Sequence, residues 1–325
     1  MDNTPLVSVI ITFYNSGDFV HSAIKEVQKQ TYKKIEIICV NDGSQDETLS
    51  LLKKYQQEDN RIIIINKNNE GGAHNALAAG QKVVKGKYIL TFDHDDKLGE
   101  DALEQAVISM KQNPDWGISL FKVVIMDEEG DLLESRPQPK NILTAKEAVK
   151  ATVIRFKYAF RCLYKREVFQ SFSYYKKEPW LNYDEYVGRR LIYNAGFIGF
   201  NSGVYYYVRN KDSCTSKISL KTITPLETEI LNREFIKKNE LYKNIDIDFE
   251  IFFMNKLNSY IKLYEHKLKN KSSQTQKKYV RDLFKRAFDS INKNIIIQSQ
   301  KGFKKKYMQL LFSNFFIYYL IRKLR

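Results

Sequence analysis

Cysteine is scarce and poorly spaced for chemistry. The chain of 325 residues holds three, Cys39, Cys162 and Cys214, and no two share the C-x-x-C spacing of a redox or zinc motif. That argues against a disulfide framework and against a thiolate metal site, and it fits a reducing compartment. No run reaches the eighteen or so apolar residues that a bilayer crossing needs. Residues 1–6 lack the basic-then-apolar order of a secretory leader, so a cytoplasmic protein is expected. No internal repeat is evident. Disorder is excluded too, because 43% hydrophobic and 28% charged residues are ordinary for a globular chain.

Negative charge is what the last third lacks. The whole chain carries +15; residues 216–325 hold 24 Lys or Arg against 10 Asp or Glu and so account for +14 of it. Two regions with different partners follow: residues 1–215 and a basic region, 216–325. A basic region can meet nucleic acid, anionic lipid or another anionic polymer, and charge alone does not choose.

The first region alternates in a regular rhythm. Residues 7–13 and 35–40 are near-continuous β-branched runs, as expected of strands covered on both faces. After the first, Asp18 caps a pattern in which Val20, Ala23, Ile24 and Val27 share one helical face. After the second, Ser44 and Glu47 have capping-box spacing. A third strand over 62–65, an Ala-rich helix over 73–84 and a fourth strand over 88–92 complete a parallel α/β sheet. A helix over 100–110 and a strand over 118–127 come next. Further on, a helix near Asp184 and a hairpin over 197–208 are predicted. Beyond 216, apolar residues at helical spacing predict a helical appendage. Its residues 307–321, mostly apolar and aromatic between cationic ends, are too few to span a bilayer and suit a helix lying in the interface, a packed terminal helix or an oligomer contact.

Ligands of such sheets bind beyond the carboxyl ends of the strands, where the polar clusters 12–15, 41–44, 68–72 and 93–96 all fall. The densest is Asp93-His94-Asp95-Asp96. Neighbouring carboxylates raise each other's pKa unless a cation or strong donors compensate, and a bound divalent ion is the simplest remedy. Hard oxygen ligands suit Mg²⁺ or Mn²⁺, which commonly accompany a diphosphate. Taken singly, each element has a plainer reading: acids at a helix start for 93–96 and for Asp184 with Glu185, strand-end packing for Thr12 and Tyr14, and a solvated face for Lys304 to Lys306.

Together, in order and spacing, the motifs resemble the family 2 glycosyltransferases of GT-A fold, of the type that builds bacterial surface polysaccharides. The resemblance runs over about residues 5–215 and rests on Val9-Ile10-Ile11-Thr12-Phe13-Tyr14-Asn15, Gln30-Thr31-Tyr32, Asp42-Gly43-Ser44 and Gly86-Lys87-Tyr88-Ile89 leading into Asp93-His94-Asp95. It implies a Rossmann-like, mostly parallel sheet flanked by helices, here with a basic, mainly helical region after it. It also implies an inverting, metal-dependent transfer of a hexosyl or N-acetylhexosaminyl group from a nucleotide sugar, most often UDP-linked. The acceptor would be a hydroxyl of a cell-surface glycan or lipid-linked saccharide, as in capsule or lipopolysaccharide synthesis.

By position, the resemblance assigns Thr12 and Tyr14 to the nucleobase and ribose and Asp42 to the uracil N3–H. Asp93 falls to the ribose or metal, and Asp95 to the Mn²⁺ or Mg²⁺. Asp96 orients the sugar or caps a turn. Asp184 fits the general base, with Glu185 as the fallback. Tyr207-Val208-Arg209 with Ser213 resembles the loop that closes on donor phosphates. A cation often follows the Gly71-Gly72 pair in the family; here only a protonated His74, or Lys67 reaching across, could serve the donor. The expected setting is the cytoplasmic membrane face, with the basic tail on anionic lipid or in a homo-oligomer, and no nucleic acid. A nucleotidyltransferase is the alternative enzyme, though residues 14–17 lack a basic glycine loop. An anionic-polymer-binding protein is the non-enzyme one.

Overall fold

A computed structural model of the chain describes residues 4–154, 161–175, 182–210, 218–243 and 245–323. By contacts the chain divides into two units, Met1–Pro179 with Val187–Ser213, and Trp180–Tyr186 with Cys214–Arg325.

The first unit opens with β1 (Val7–Phe13), α1 (Gly17–Gln28), β2 (Ile35–Asp42), α2 (Thr48–Glu58), β3 (Ile62–Lys67), α3 (Ala73–Gln81) and β4 (Tyr88–Asp93). It continues through β5 (Lys97–Leu98), α4 (Ala102–Gln112), β6 (Trp116–Met126), β7 (Leu132–Ser135), β8 (Leu143–Thr144), α5 (Ala145–Val153), β9 (Cys162–Lys165), α6 (Arg166–Phe169), α7 (Tyr183–Tyr193) and β10 (Phe197–Val208); the first turn of α7 is grouped with the second unit. The ten-stranded sheet runs β3-β2-β1-β4-β9-β6-β10-β5, with β7 on β6 and β8 on β10. Pairing is parallel from β3 to β4 and between β6 and β10, and antiparallel around β9. This is the mostly parallel mixed sheet that the family resemblance implies; the alternating pattern foretells its parallel run from β3 to β4.

The interior of β1 explains its place. Six of its seven residues are buried, which suits a strand between two parallel neighbours with helices on both faces. α1 covers one face with Val20, Ala23, Ile24 and Val27, each worth ~1–3 kcal/mol in transfer free energy. Two motifs turn out to be ties within this layer. Gln30 is fully buried, donating to Gly99 O (2.8 Å) and accepting from Leu103 N (3.1 Å). Gly86 N donates to Ser8 Oγ at 2.8 Å, and a β-carbon at Gly86 would stand 2.6 Å from Ser8 N, so a side chain there would push β4 away from β1.

Three expectations need correction. Residues 197–208 are not a hairpin but one strand, β10, in parallel register with β6, with an irregularity between Phe200 and Val204 absorbing the break in pattern. Ser44 and Glu47 do not form a capping box; Ser44 Oγ instead accepts from Asn15 N (3.0 Å), and Asp46 Oδ1 accepts from Thr48 N (3.1 Å) at the start of α2. Residues 307–321 do not form one helix: the chain breaks at Asn314, and part of the stretch is buried.

Cys39 and Cys162 are free and buried, and burial pushes both thiols up to about 12, so neither ionises near neutral pH. Cys214 lies outside the described residues.

The second unit is helical: α8 (Pro225–Lys238), α9 (Asp246–Leu263), α10 (Gln274–Ser290), α11 (Lys293–Gln298), α12 (Gly302–Ser313) and α13 (Phe315–Lys323). Its core joins Leu226, Phe253, Leu257, Phe284, Phe312 and Tyr318. Inside it, Arg233 meets Glu250 at 2.7 Å, and Glu250 also accepts from Tyr242 (2.6 Å) and Asn292 N (2.9 Å). A desolvated carboxylate needs that many donors to be tolerated. No helix among the described residues is long and apolar enough to cross a membrane.

Candidate active site

The rim is built by register. Thr12 on β1 lies opposite Asp93 on β4, and Phe13 opposite Asn41 on β2, so the polar ends of three central strands meet side by side. β1 is the middle strand; Asp42 flanks it on one side and the acidic turn on the other. Asn15, in a left-handed conformation with φ 47°, leaves the strand sharply and accepts from Gln45 N at 2.8 Å. Tyr14 beside it is half exposed.

Asp42 is buried, and Lys67 Nζ donates to its Oδ1 at 2.6 Å and to Asn68 O at 2.7 Å. Lys67 is thus committed to the carboxylate rather than reaching toward a donor. The next residue, Gly43, has φ +72°, and a β-carbon there would stand 2.6 Å from Asn69 N. Only glycine lets the β2 and β3 loops close on each other here. His74 is buried at the start of α3.

In the acidic turn two of the three carboxylates share one guanidinium. Asp93 Oδ2 lies 2.6 Å from Arg161, and Asp96 Oδ2 lies 3.4 Å from the same guanidinium. Asp96 is 3% exposed; it accepts from the Tyr205 hydroxyl (2.7 Å) and from Val208 N (2.9 Å), both on β10. Asp96 therefore fastens the turn to the sheet. Burial pushes its carboxyl up to about 7, with Arg161 pulling it down and Asp93 pushing it up. Arg161 also lies over the Tyr205 and Tyr207 rings, 5.1 and 5.5 Å from their centroids. Sequence reasoning missed Arg161; its signal is an arginine heading the buried run Cys162-Leu163-Tyr164.

His94 packs against Phe13 and Phe19 at 5.7 and 5.3 Å, and its Nδ1 lies 3.1 Å from Thr12 O. Partly buried, Asp95 has no hydrogen-bond or ion-pair partner among the described residues. Among them, too, no three His, Cys, Asp or Glu side chains are grouped to enclose a metal. The donor set nevertheless suits Mg²⁺ or Mn²⁺ of the kind that takes one or two protein carboxylates and completes its shell with substrate phosphate and water. Asp95 offers a free hard ligand, and Asp93 lies two residues before it.

Arg209 is exposed just beyond β10, its backbone N–H bonded to Met126 O at 2.8 Å. Ser213 lies outside the described residues. In the first turn of α7, Asp184 is exposed and Glu185 is partly buried, accepting from Asn182 Nδ2 at 3.2 Å.

Residues 8–172 match the family model described as glycosyl transferase family 2. Curated relatives include glycosyltransferase GlyG of Streptococcus pneumoniae, 38% identical over 99 residues, covering 30% of this chain and 33% of the relative. Another is the UDP-Glc:alpha-D-GlcNAc-diphosphoundecaprenol beta-1,3-glucosyltransferase WfaP of Escherichia coli, 42% identical over 91 residues, covering 28% and 36%. The matched stretches span about a third of the length of these two relatives. Among solved structures, residues 1–349 of S. aureus TarS in complex with UDP-GlcNAc align with TM-score 0.64 at 17% identity, over 98% of this chain and 88% of that one. The mannosyltransferase PcManGT of Pyrobaculum calidifontis, in complex with GDP-Man and Mn²⁺, aligns with TM-score 0.55 at 12% identity, over 99% and 88%. At such identities these two likenesses speak for the fold alone.

Proposed function

The chain belongs to glycosyl transferase family 2, and from that premise we propose that it moves a hexose or N-acetylhexosamine from a UDP-sugar to a hydroxyl of a surface glycan or lipid-linked saccharide, with inversion. One observation carries the reading: buried Asp42, fixed by Lys67, and the Asp93–Asp95 turn flank β1 at the carboxyl end of the sheet. A fixed carboxylate on one side suits a base N–H, and an acidic turn on the other suits an ion with its diphosphate. The UDP-GlcNAc complex of TarS and the UDP-Glc donor in the name of WfaP support uridine.

In this reading Thr12 and Tyr14 line the nucleoside, Asp42 accepts from the uracil N3–H, and His74 lies toward the donor. Asp95, with Asp93, holds Mg²⁺ or Mn²⁺, which when bound supplies positive charge for the departing diphosphate; the Mn²⁺ complex of PcManGT supports that choice. Arg209, with Ser213, contacts the leaving group. Asp184 takes the acceptor hydroxyl's proton as general base, Glu185 standing in reserve. Residues 1–215 form the catalytic region, working at the cytoplasmic face of the membrane.

The test is a thermal-shift screen of UDP-, GDP-, CDP- and dTDP-sugars with and without Mn²⁺. UDP-sugars should raise Tm most, and Mn²⁺ should enlarge the shift in the native protein but not in Asp95→Ala. Equal shifts for all four nucleotides would overturn the uridine assignment, and an unchanged Mn²⁺ effect in Asp95→Ala would overturn the metal one.

A further inference from the structure

In the second unit, α12 and α13 have two faces of opposite character. Leu311, Phe312 and Tyr318 are buried in the helical core. Phe303 is 86% exposed, Leu310 58% and Phe316 66%. Phe303, Lys306 and Leu310 follow one another at i, i+3 and i+7, so they line one outer side of α12; Phe316 and Leu320, at i and i+4, do the same on α13. Scattered exposed apolar residues are ordinary. A helical stripe of them beside a lysine cluster is not.

Along the segment itself the charge is of one sign, and the carboxylate that meets α13 from elsewhere, Glu265, is buried and paired with Lys323 and Tyr319. From residue 290 to 325 the sequence has eight Lys or Arg and no Asp or Glu. Lys304, Lys305 and Lys306 are all exposed, and none makes an ion pair among the described residues.

We propose that this face docks onto an anionic lipid bilayer, with Phe303, Leu310, Phe316 and Leu320 entering the headgroup boundary and Lys304 to Lys306 meeting lipid phosphates. A second copy of the chain would bring the same cations into opposition and be repelled. A nucleic acid would answer the lysines and leave the phenylalanine and leucine stripe in water. A bilayer surface answers both at once, the combination that holds amphipathic helices in the interface.

Co-sedimentation of the full chain with vesicles of phosphatidylcholine alone, or with about a third phosphatidylglycerol, tests this. Binding is expected only with the anionic lipid and should weaken with salt. K304Q/K305Q/K306Q should lower the partition coefficient on the order of 100-fold, since each basic residue near an anionic surface contributes roughly a factor of five. F303S/L310S should lower it at least 10-fold and leave a residue of binding that high salt abolishes. All the changed side chains are exposed, so circular dichroism, Tm and UDP affinity should stay as in the native protein. Equal binding to neutral vesicles, or undiminished binding in both variants, would overturn the proposal. So would a native dimer in light scattering that F303S/L310S dissolves, which would make the stripe a contact between copies.

Discussion

The side chains that hold the rim together are as informative as those that face its opening. Lys67 pairs with Asp42, and Arg161 with Asp93 and Asp96; in both places a buried or half-buried acid is steadied by a cation from a neighbouring strand or its edge. The acids were legible in the sequence because carboxylates at strand ends are conspicuous. Their partners were not, because Lys67 lies 25 residues from Asp42, and Arg161 further still from Asp93, and only strand register unites them. Lys67→Met leaves Asp42 buried without its counter-charge. A charge-assisted hydrogen bond contributes roughly 1.5–3 kcal/mol, so if Asp42 holds uracil the variant should lose on the order of 10- to 100-fold in UDP affinity by calorimetry. Unchanged affinity would move base recognition elsewhere on the rim.

Among the elements, parallel strands and their helices could be read from hydrophobic period because burial on both faces leaves an unmistakable apolar run. β10 was misread as a hairpin because Asn201-Ser202-Gly203 look like a turn. In the structure Asn201 turns inward, donating to Ser119 Oγ (2.9 Å) and Leu120 O (3.0 Å), and the strand carries on past it. The link from α2 to β3 offers a test of pH dependence. Arg61 holds Asp59 through both carboxylate oxygens (2.9 and 2.7 Å), and Gln28 adds a third bond at 2.9 Å. The Arg61 hydrogen bonds, aided by Gln28, keep the Asp59 carboxyl well below the usual range. A carboxyl depressed on folding stabilises above its unfolded pKa of about 4 and loses that contribution as pH falls through its folded value. Asp59→Asn should cost about 1 kcal/mol in urea unfolding at pH 7, allowing for screening near the surface. The gap between variant and native protein should close as the pH drops well below 4; a gap independent of pH would mean that packing, not charge, is lost.

At the scale of the whole molecule, the described residues of each unit pack a core of their own: one around β1, β2 and β4 in the first, another around α8, α9 and α10 with α12 and α13 in the second. The charge asymmetry of the sequence announced the second region, yet composition could not say that its last two helices are partly structural. Deleting residues 301–325 removes Leu311, Phe312 and Tyr318 from the helical core, and large buried side chains cost ~2–5 kcal/mol each when lost. The truncated chain should therefore show a lowered and separate melting transition for the second unit. A single transition at the native Tm would mean that the two helices contribute nothing to that core.

The guanidinium resident on the acidic turn has one more consequence. Small domains whose clustered ligands repel one another often cannot fold until their ion arrives. Here Asp93 and Asp96 find their compensating charge in Arg161, within the chain itself, so the turn takes its shape with no ion to hold it.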